Sequence, residues 1–164
     1  MAEHPNFVNL NGTWFEIEDR LFTIFSDFFD DNELANYDGA KITYNSQISK
    51  KRPEGYWHVP HRDSKNLAGA TERIFDTERS RRIGWIKSLV HGECANCKIF
   101  WDQRHDKLHF WLEDDDYILI LADQKRRRHG TRFLNLVTAF YIDGNGYKRR
   151  FAKMYRSYEK TRAA

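Results

Sequence analysis

Cysteine is scarce in this chain of 164 residues, and proline occurs three times. Cys94 and Cys97 form a single CxxC in "GECANCKIF". No second CxxC or pair of well-spaced histidines completes a zinc site, and no thioredoxin-like pattern surrounds it, so the pair reads as a turn with two incidental thiols. Long apolar runs are missing as well: nothing approaches the roughly 18 to 20 residues that span a bilayer. The first residues, "MAEHPNFVNL", lack a basic segment followed by an apolar stretch. The expectation is a soluble, cytoplasmic protein without a membrane partner. Walker-type glycine loops, HExxH, GxSxG and EF-hand loops do not occur; "DGNGYK" reads as a turn. The acids Glu113 to Asp116 of "LEDDDY" read as a solvated turn, not as metal ligands. No metal and no cofactor are expected.

Aromatic residues, at 15%, and charge are what the chain has in quantity. Forty per cent of the residues are hydrophobic, which excludes a wholly disordered chain, and the length suits one domain with a real core. The net charge of +3 conceals an asymmetry. Residues 1–40 hold nine acids against one base, Arg20, whereas residues 125–162 hold twelve Lys or Arg against Asp143 and Glu159. Such a basic field attracts polyanions and makes RNA or DNA the leading partner class, with a solvated basic face as the plain alternative.

The expected fold class is α+β: one domain with an acidic N-terminal helical segment (1–40) and a core (41–164) of about four or more antiparallel strands packed against helices. In "NGTWFEIEDRLFTIFSDFFDDNEL", Thr13 and Glu16 have capping-box spacing, and apolar residues from Trp14 to Phe29 keep helical period. The acids of this helix turn outward, or they cover the basic surface. "KITYN" and "GYWHV" read as short strands with the loop "SQISKKRPEG" between them. Residues 67–91 read as helix, broken near Gly84. "CKIFW" and "KLHFWL" form a hairpin around "DQRHD"; "YILIL" and "RFLNLVTAFYI" flank a basic loop. "GYKRRFAKMYRSYEK" is an amphipathic helix whose stripe Tyr147, Phe151, Met154, Tyr155 and Tyr158 reads as core packing.

These residue types suit metal-free chemistry on a phosphodiester. RNA carries its own nucleophile, the 2′-hydroxyl. An enzyme adds a group to remove that proton, a group to protonate the leaving oxygen, and cations to stabilise the phosphoryl oxygens. Histidine suits proton transfer, and lysine and arginine suit charge stabilisation.

Four segments in order, "GYWHV", "ERSRRIGWIKSLV", "DYILILADQK" and "LVTAFYIDGNGYKRR", give the stretch from about Ala40 to Lys160 a resemblance to the phage-associated branch of the barnase, EndoU, colicin and RelE-like (BECR) nuclease superfamily. The resemblance implies a BECR-like fold and a metal-independent endoribonuclease acting as a toxin or phage or defence effector, with RNA as substrate and an antitoxin or immunity protein as a further partner. Carried over by position, it makes His58 the general base or acid, with His61 a weaker alternative. Arg79 and Arg82 would bind the scissile phosphate, and Lys125 would stabilise transition-state charge. Arg126, Arg127, Arg128 and His129 would hold flanking phosphates, as would Lys148, Arg149 and Arg150 of the basic tail. Thr138 would position a phosphate, although strand alternation turns it toward the core unless a bulge intervenes; Tyr141, of opposite parity, then becomes the exposed group. Two other readings compete: a non-catalytic RNA- or DNA-binding module, and a protein-binding phage or defence factor.

Overall fold

The computed structural model describes residues 5–163 and, within them, every side chain except those of Arg126 and Arg128. The element order is α1 (Trp14–Phe29), β1 (Asn36–Tyr37), β2 (Ala40–Thr43), β3 (Ile48–Ser49), β4 (Arg52–Pro53), α2 (Glu54–Trp57), β5 (His61–Lys65) and β6 (Thr71–Phe75). There follow α3 (Thr77–Ser80), α4 (Trp85–Val90), β7 (Cys97–Asp102), β8 (Lys107–Leu112), β9 (Tyr117–Arg128), β10 (Thr131–Tyr141) and α5 (Asn145–Ala163). The α+β class is as read from the sequence. Six strands in the order β1-β2-β10-β9-β8-β7 make the sheet. It is antiparallel except where β2 runs parallel to Phe133–Asn135 of β10. Among the described residues, no helix is long and apolar enough to cross a membrane.

The apolar runs of the sequence follow from a sheet buried on both faces. Along β9, Tyr117, Leu119 and Leu121 enter the main core under α1, α2 and α4, while Ile118 and Ile120 enter a second core beneath α5. On β8, Leu108, Phe110 and Leu112 face the first and Trp111 the second. Helices therefore cover both faces of the sheet. The stripe on α5 does pack there: Phe151 is buried, and Met154, Tyr155 and Tyr158 lean on the same cluster. Tyr147 is the exception, 49% exposed.

Helix α1 begins as its sequence dictates. The Thr13 hydroxyl accepts from the Glu16 backbone N–H, and the Glu16 carboxylate accepts from the N–H of Thr13, so two otherwise unpaired donors are satisfied. Two of its acids face the other way: Glu18 (2.9 Å) and Asp19 (3.6 Å) pair with Arg52 on β4.

Four local expectations are corrected. "GYWHV" is not a strand: Glu54–Trp57 form a helical turn capped by His58. A Cβ on Gly55 would lie 2.8 Å from the Tyr44 Cβ, so only glycine lets this turn pack against the chain leaving β2. "SQISKKRPEG" is not a plain loop but contains the β3–β4 hairpin, turned by Lys50 and Lys51 at positive φ. Residues 71–75, expected as helix, form β6, paired residue by residue with β5. Helix resumes only at Thr77–Ser80 and Trp85–Val90, with Gly84 between them. Finally, the basic loop after "YILIL" is strand. The cationic run continues β9 to Arg128, and His129 and Gly130, both at positive φ, make a two-residue turn.

Thiol chemistry finds no support in this frame. Cys94 is buried, and burial pushes the Cys97 thiol up to about 12. No group of three His, Cys, Asp or Glu side chains that could hold a metal occurs among the described residues.

The second core contains a histidine. His109 is 3% exposed and stacks on Phe100 (centroids 4.8 Å apart, planes 7°). Burial lowers its pKa to about 4 from an ordinary 6.5. Above pH 6.5, folded and unfolded chains both carry neutral imidazole. Between pH 6.5 and 4 only the unfolded chain takes the proton, so stability falls by about 1.4 kcal/mol per pH unit and then levels off. Urea denaturation at pH 7.5 and pH 5 should show a smaller acid loss for His109→Phe, which retains the stacking, than for the parent.

A candidate active-site cleft

Beyond Asn135, β10 loses β2 as its neighbour, and α2 and α3 pack beside it instead. A cleft of about 1220 Å³ opens there. Residues far apart in sequence line it: His58, then His61, Arg62 and Asp63 of β5, then Phe75–Arg79 with Arg81 and Arg82, and finally Val137, Thr138, Phe140 and Tyr141 with Asp143 and Tyr147.

The end of β10 reaches the cleft through a β-bulge. Leu136 pairs with Leu121 and Thr138 with Ile120, so Val137 is an extra residue. Leu136 and Ala139 both enter the main core, while Thr138 is released from the parity that would have buried it. Its hydroxyl donates to the His58 carbonyl at 3.2 Å.

Arg79 holds the opposite wall. Its Nη1 donates to the carbonyls of His61 (2.8 Å) and His58 (3.2 Å), its guanidinium lies 5.3 Å from the Phe140 ring centroid, and its Nε is 3.7 Å from Asp76. Burial pulls its pKa below the ordinary arginine value, with the Asp76 carboxylate acting in the opposite direction. Asp76 also caps α3 by accepting from the Arg79 N–H (3.0 Å) and lies 3.8 Å from Arg62, which is exposed. His58 thus has a backbone fixed from two directions and a side chain 43% exposed in the cleft. Its Nε2 is 4.0 Å from Glu54, beyond hydrogen-bond reach. The Ser49 hydroxyl and Arg73 (3.1 Å) hold Glu54 below the usual carboxylate range despite some desolvation.

Arg82 and His61 line the cleft but are committed to the interior. Arg82 is 5% exposed, with its guanidinium 4.5 Å from the Tyr141 ring centroid, 5.0 Å from Phe7 and 5.1 Å from Trp85. Its Nη1 donates to the Glu78 carbonyl (2.8 Å) and to the Glu78 carboxylate. That hydrogen bond, more than the nearby charges, holds Glu78 below its ordinary pKa. His61 is enclosed by Trp57, Phe75 and Trp14. Burial, aided by Arg73, Lys50 and Arg79, lowers its pKa to about 4, so at neutral pH it presents an uncharged ring that holds no phosphate by charge.

Of the six residues assigned catalytic work from the sequence, His58, Arg79, Arg82, Thr138 and Tyr141 meet in this cleft. Lys125 does not. It lies five residues along β9 from Ile120, the partner of Thr138, roughly 15 Å away at strand rise, and pairs with Asp106 at 2.7 Å. Arg127 and His129 stand exposed at the far end of the same ribbon, and the side chains of Arg126 and Arg128 lie outside the described residues. Lys148 pairs with Asp116 (2.9 Å); Arg149 and Arg150 are exposed on α5. Arg62 and Tyr147, which line the cleft, and Glu54, 4.0 Å from His58, were missed by sequence reasoning. Only the i,i+4 spacing of Glu54 and His58 offered a signal, and it was hidden by reading that turn as strand.

Four arginines face four carboxylates, Asp63, Asp76, Glu78 and Asp143, around the cleft. The arrangement can hold an anion against Arg62 and Arg79, beside an accessible imidazole and the hydroxyls of Thr138 and Tyr141. In comparisons with family models, curated proteins and solved structures, the chain has no significant match.

The two arginine classes are separable by experiment. Arg82→Ala leaves Glu78 paired with Arg81 (3.0 Å) but empties an aromatic enclosure, and should lower unfolding free energy by about 2–3 kcal/mol. Arg62→Ala should stay within about 0.5 kcal/mol of the parent. Chemical denaturation of the two variants checks both.

Proposed function

We propose that the chain is an endoribonuclease of the BECR kind, working without a metal and acting as a toxin or a phage or defence effector. The observation that carries this is the meeting of His58, Arg79, Thr138 and Tyr141, contributed by three separate parts of the chain, in one cleft. The role assignments use these side chains together with Arg62. His58 takes the proton from the ribose 2′-hydroxyl. The freed oxygen forms its bond to the adjacent phosphorus as the bond from phosphorus to the 5′-oxygen breaks. In this reading the Tyr141 hydroxyl returns a proton to that leaving oxygen. Arg62 and Arg79 stabilise the phosphoryl oxygens as charge accumulates, and Thr138 fixes the wall on which His58 rests. The products are a 2′,3′-cyclic phosphate and a 5′-hydroxyl end.

A second reading is a non-catalytic nucleic-acid-binding module. It is favoured by a groove of about 390 Å³ between Trp101–Arg104 and α5, where Arg104, Arg150 and Lys153 gather outside the cleft. Labelled RNA incubated with the protein in EDTA distinguishes the two. Under the first, His58→Ala slows cleavage by about 100-fold or more while RNA binding persists. Under the second, RNA is bound in a salt-sensitive way and never cut.

A further inference from the structure

We propose that the cleft accepts unpaired RNA and that Tyr147 is the platform on which a base beside the scissile phosphate stacks. This rests on the reading of the cleft as an RNA site and adds what form of RNA it takes.

Tyr147 is singular among the aromatic residues of α5. Phe151 is buried, and Tyr155 and Tyr158 are half-buried against the second core, whereas Tyr147 is 49% exposed and lines the cleft. Its ring is nevertheless held: it lies nearly parallel to Phe151 (19°, centroids 5.9 Å apart) and meets Phe140 at 64° and 5.6 Å. A ring backed by a buried neighbour loses little freedom when a second flat group covers its open side. Phe140, in turn, has the Arg79 guanidinium 5.3 Å from its centroid. Tyr147, Phe140 and Arg79 therefore form a continuous row that ends at the cation assigned to the phosphate.

The size of the cleft, about 1220 Å³, exceeds the roughly 300–1,000 Å³ usual for a small-molecule site and suits a length of polymer. A base offers its face only when it is out of a duplex, because paired bases hide their faces in the stack and present backbone and groove edges. The cleft also lacks the excess positive charge that would hold a duplex by phosphates alone, since its arginines are matched by carboxylates. Aromatic stacking supplies what charge does not.

The test uses the full-length protein carrying His58→Ala to prevent turnover, and measures fluorescence anisotropy with a short unstructured RNA and a duplex of equal length. Tyr147→Ala should weaken binding of the single strand by about tenfold, and Tyr147→Phe and Tyr147→Trp should hold it within about threefold. Tyr147→Leu keeps apolar contact with Phe151 but has no aromatic face, so it should behave like alanine even if alanine disturbs the helix. Duplex binding should be weaker and indifferent to all four changes. Equal affinity of Tyr147→Leu and parent for the single strand overturns the platform, as does an equal loss on the duplex, while cleavage by the wild type then leaves the nuclease reading standing. Failure of the parent to bind or cut any RNA removes that reading, and the platform with it.

Discussion

One hydrogen-bonded junction holds the candidate site together. The Arg79 guanidinium ties the carbonyls of His58 and His61, and the Thr138 hydroxyl reaches the same His58 carbonyl from β10. Three stretches with no local reason to meet are fixed to within hydrogen-bond length. The short segment from α2 to β5 has little regular structure of its own, so these bonds, more than any helix or ladder, determine where the His58 side chain stands. A guanidinium suits the task because its fork of donors can bridge two carbonyls while the rest of the group stacks on a ring, here Phe140. Asp76 completes the arrangement by capping α3, which carries Arg79, and by opposing the charge that burial would otherwise leave uncompensated.

That junction needs a rigid surface to work against, and burial on both sides supplies it. Alternate residues of β8 and β9 enter two different cores, and neither face can slip register without exposing a full set of large side chains. The continuous run "YILIL" is the visible mark of this. Where burial on both faces is relaxed, at the far ends of β9 and β10, the chain carries its densest charge instead. The bulge at Val137 sits between these regimes and converts a strand with a core-facing threonine into one that delivers a hydroxyl to the cleft.

Much of the frame was legible in the sequence because its signals were local or periodic. Thr13 and Glu16 announced α1, "DQRHD" separated β7 from β8, and the stripe from Phe151 to Tyr158 gave α5 its buried face. Errors arose where a tertiary partner decided the outcome. "GYWHV" has the aromatic content of a strand, but Gly55 fits closely against the chain after β2, and a helical turn results. "TERIF" has acceptable helix formers, yet β5 was there to pair with it. For the site, the residue types were readable and their meeting was not. His58, Arg79, Thr138 and Tyr141 were carried over from the resemblance, but the same carry-over also named Lys125, which strand length carries away. It likewise passed over Arg62 and Glu54, whose places depend on a hairpin and a turn that were read as something else.

The distribution of charge argues for a division of labour. The basic excess of the chain lies on the β9–β10 ribbon and α5, whereas the cleft sets its arginines against carboxylates. A guanidinium held by Asp76 or Glu78 is poorly free to wander and is oriented before any anion arrives, which reduces the ordering cost on binding. Its net field is correspondingly weak, so long-range attraction of a polyanion must come from the exposed cations outside, acting over about a Debye length and falling with salt. If the proposed function holds, salt acts on capture far more than on the step inside the cleft.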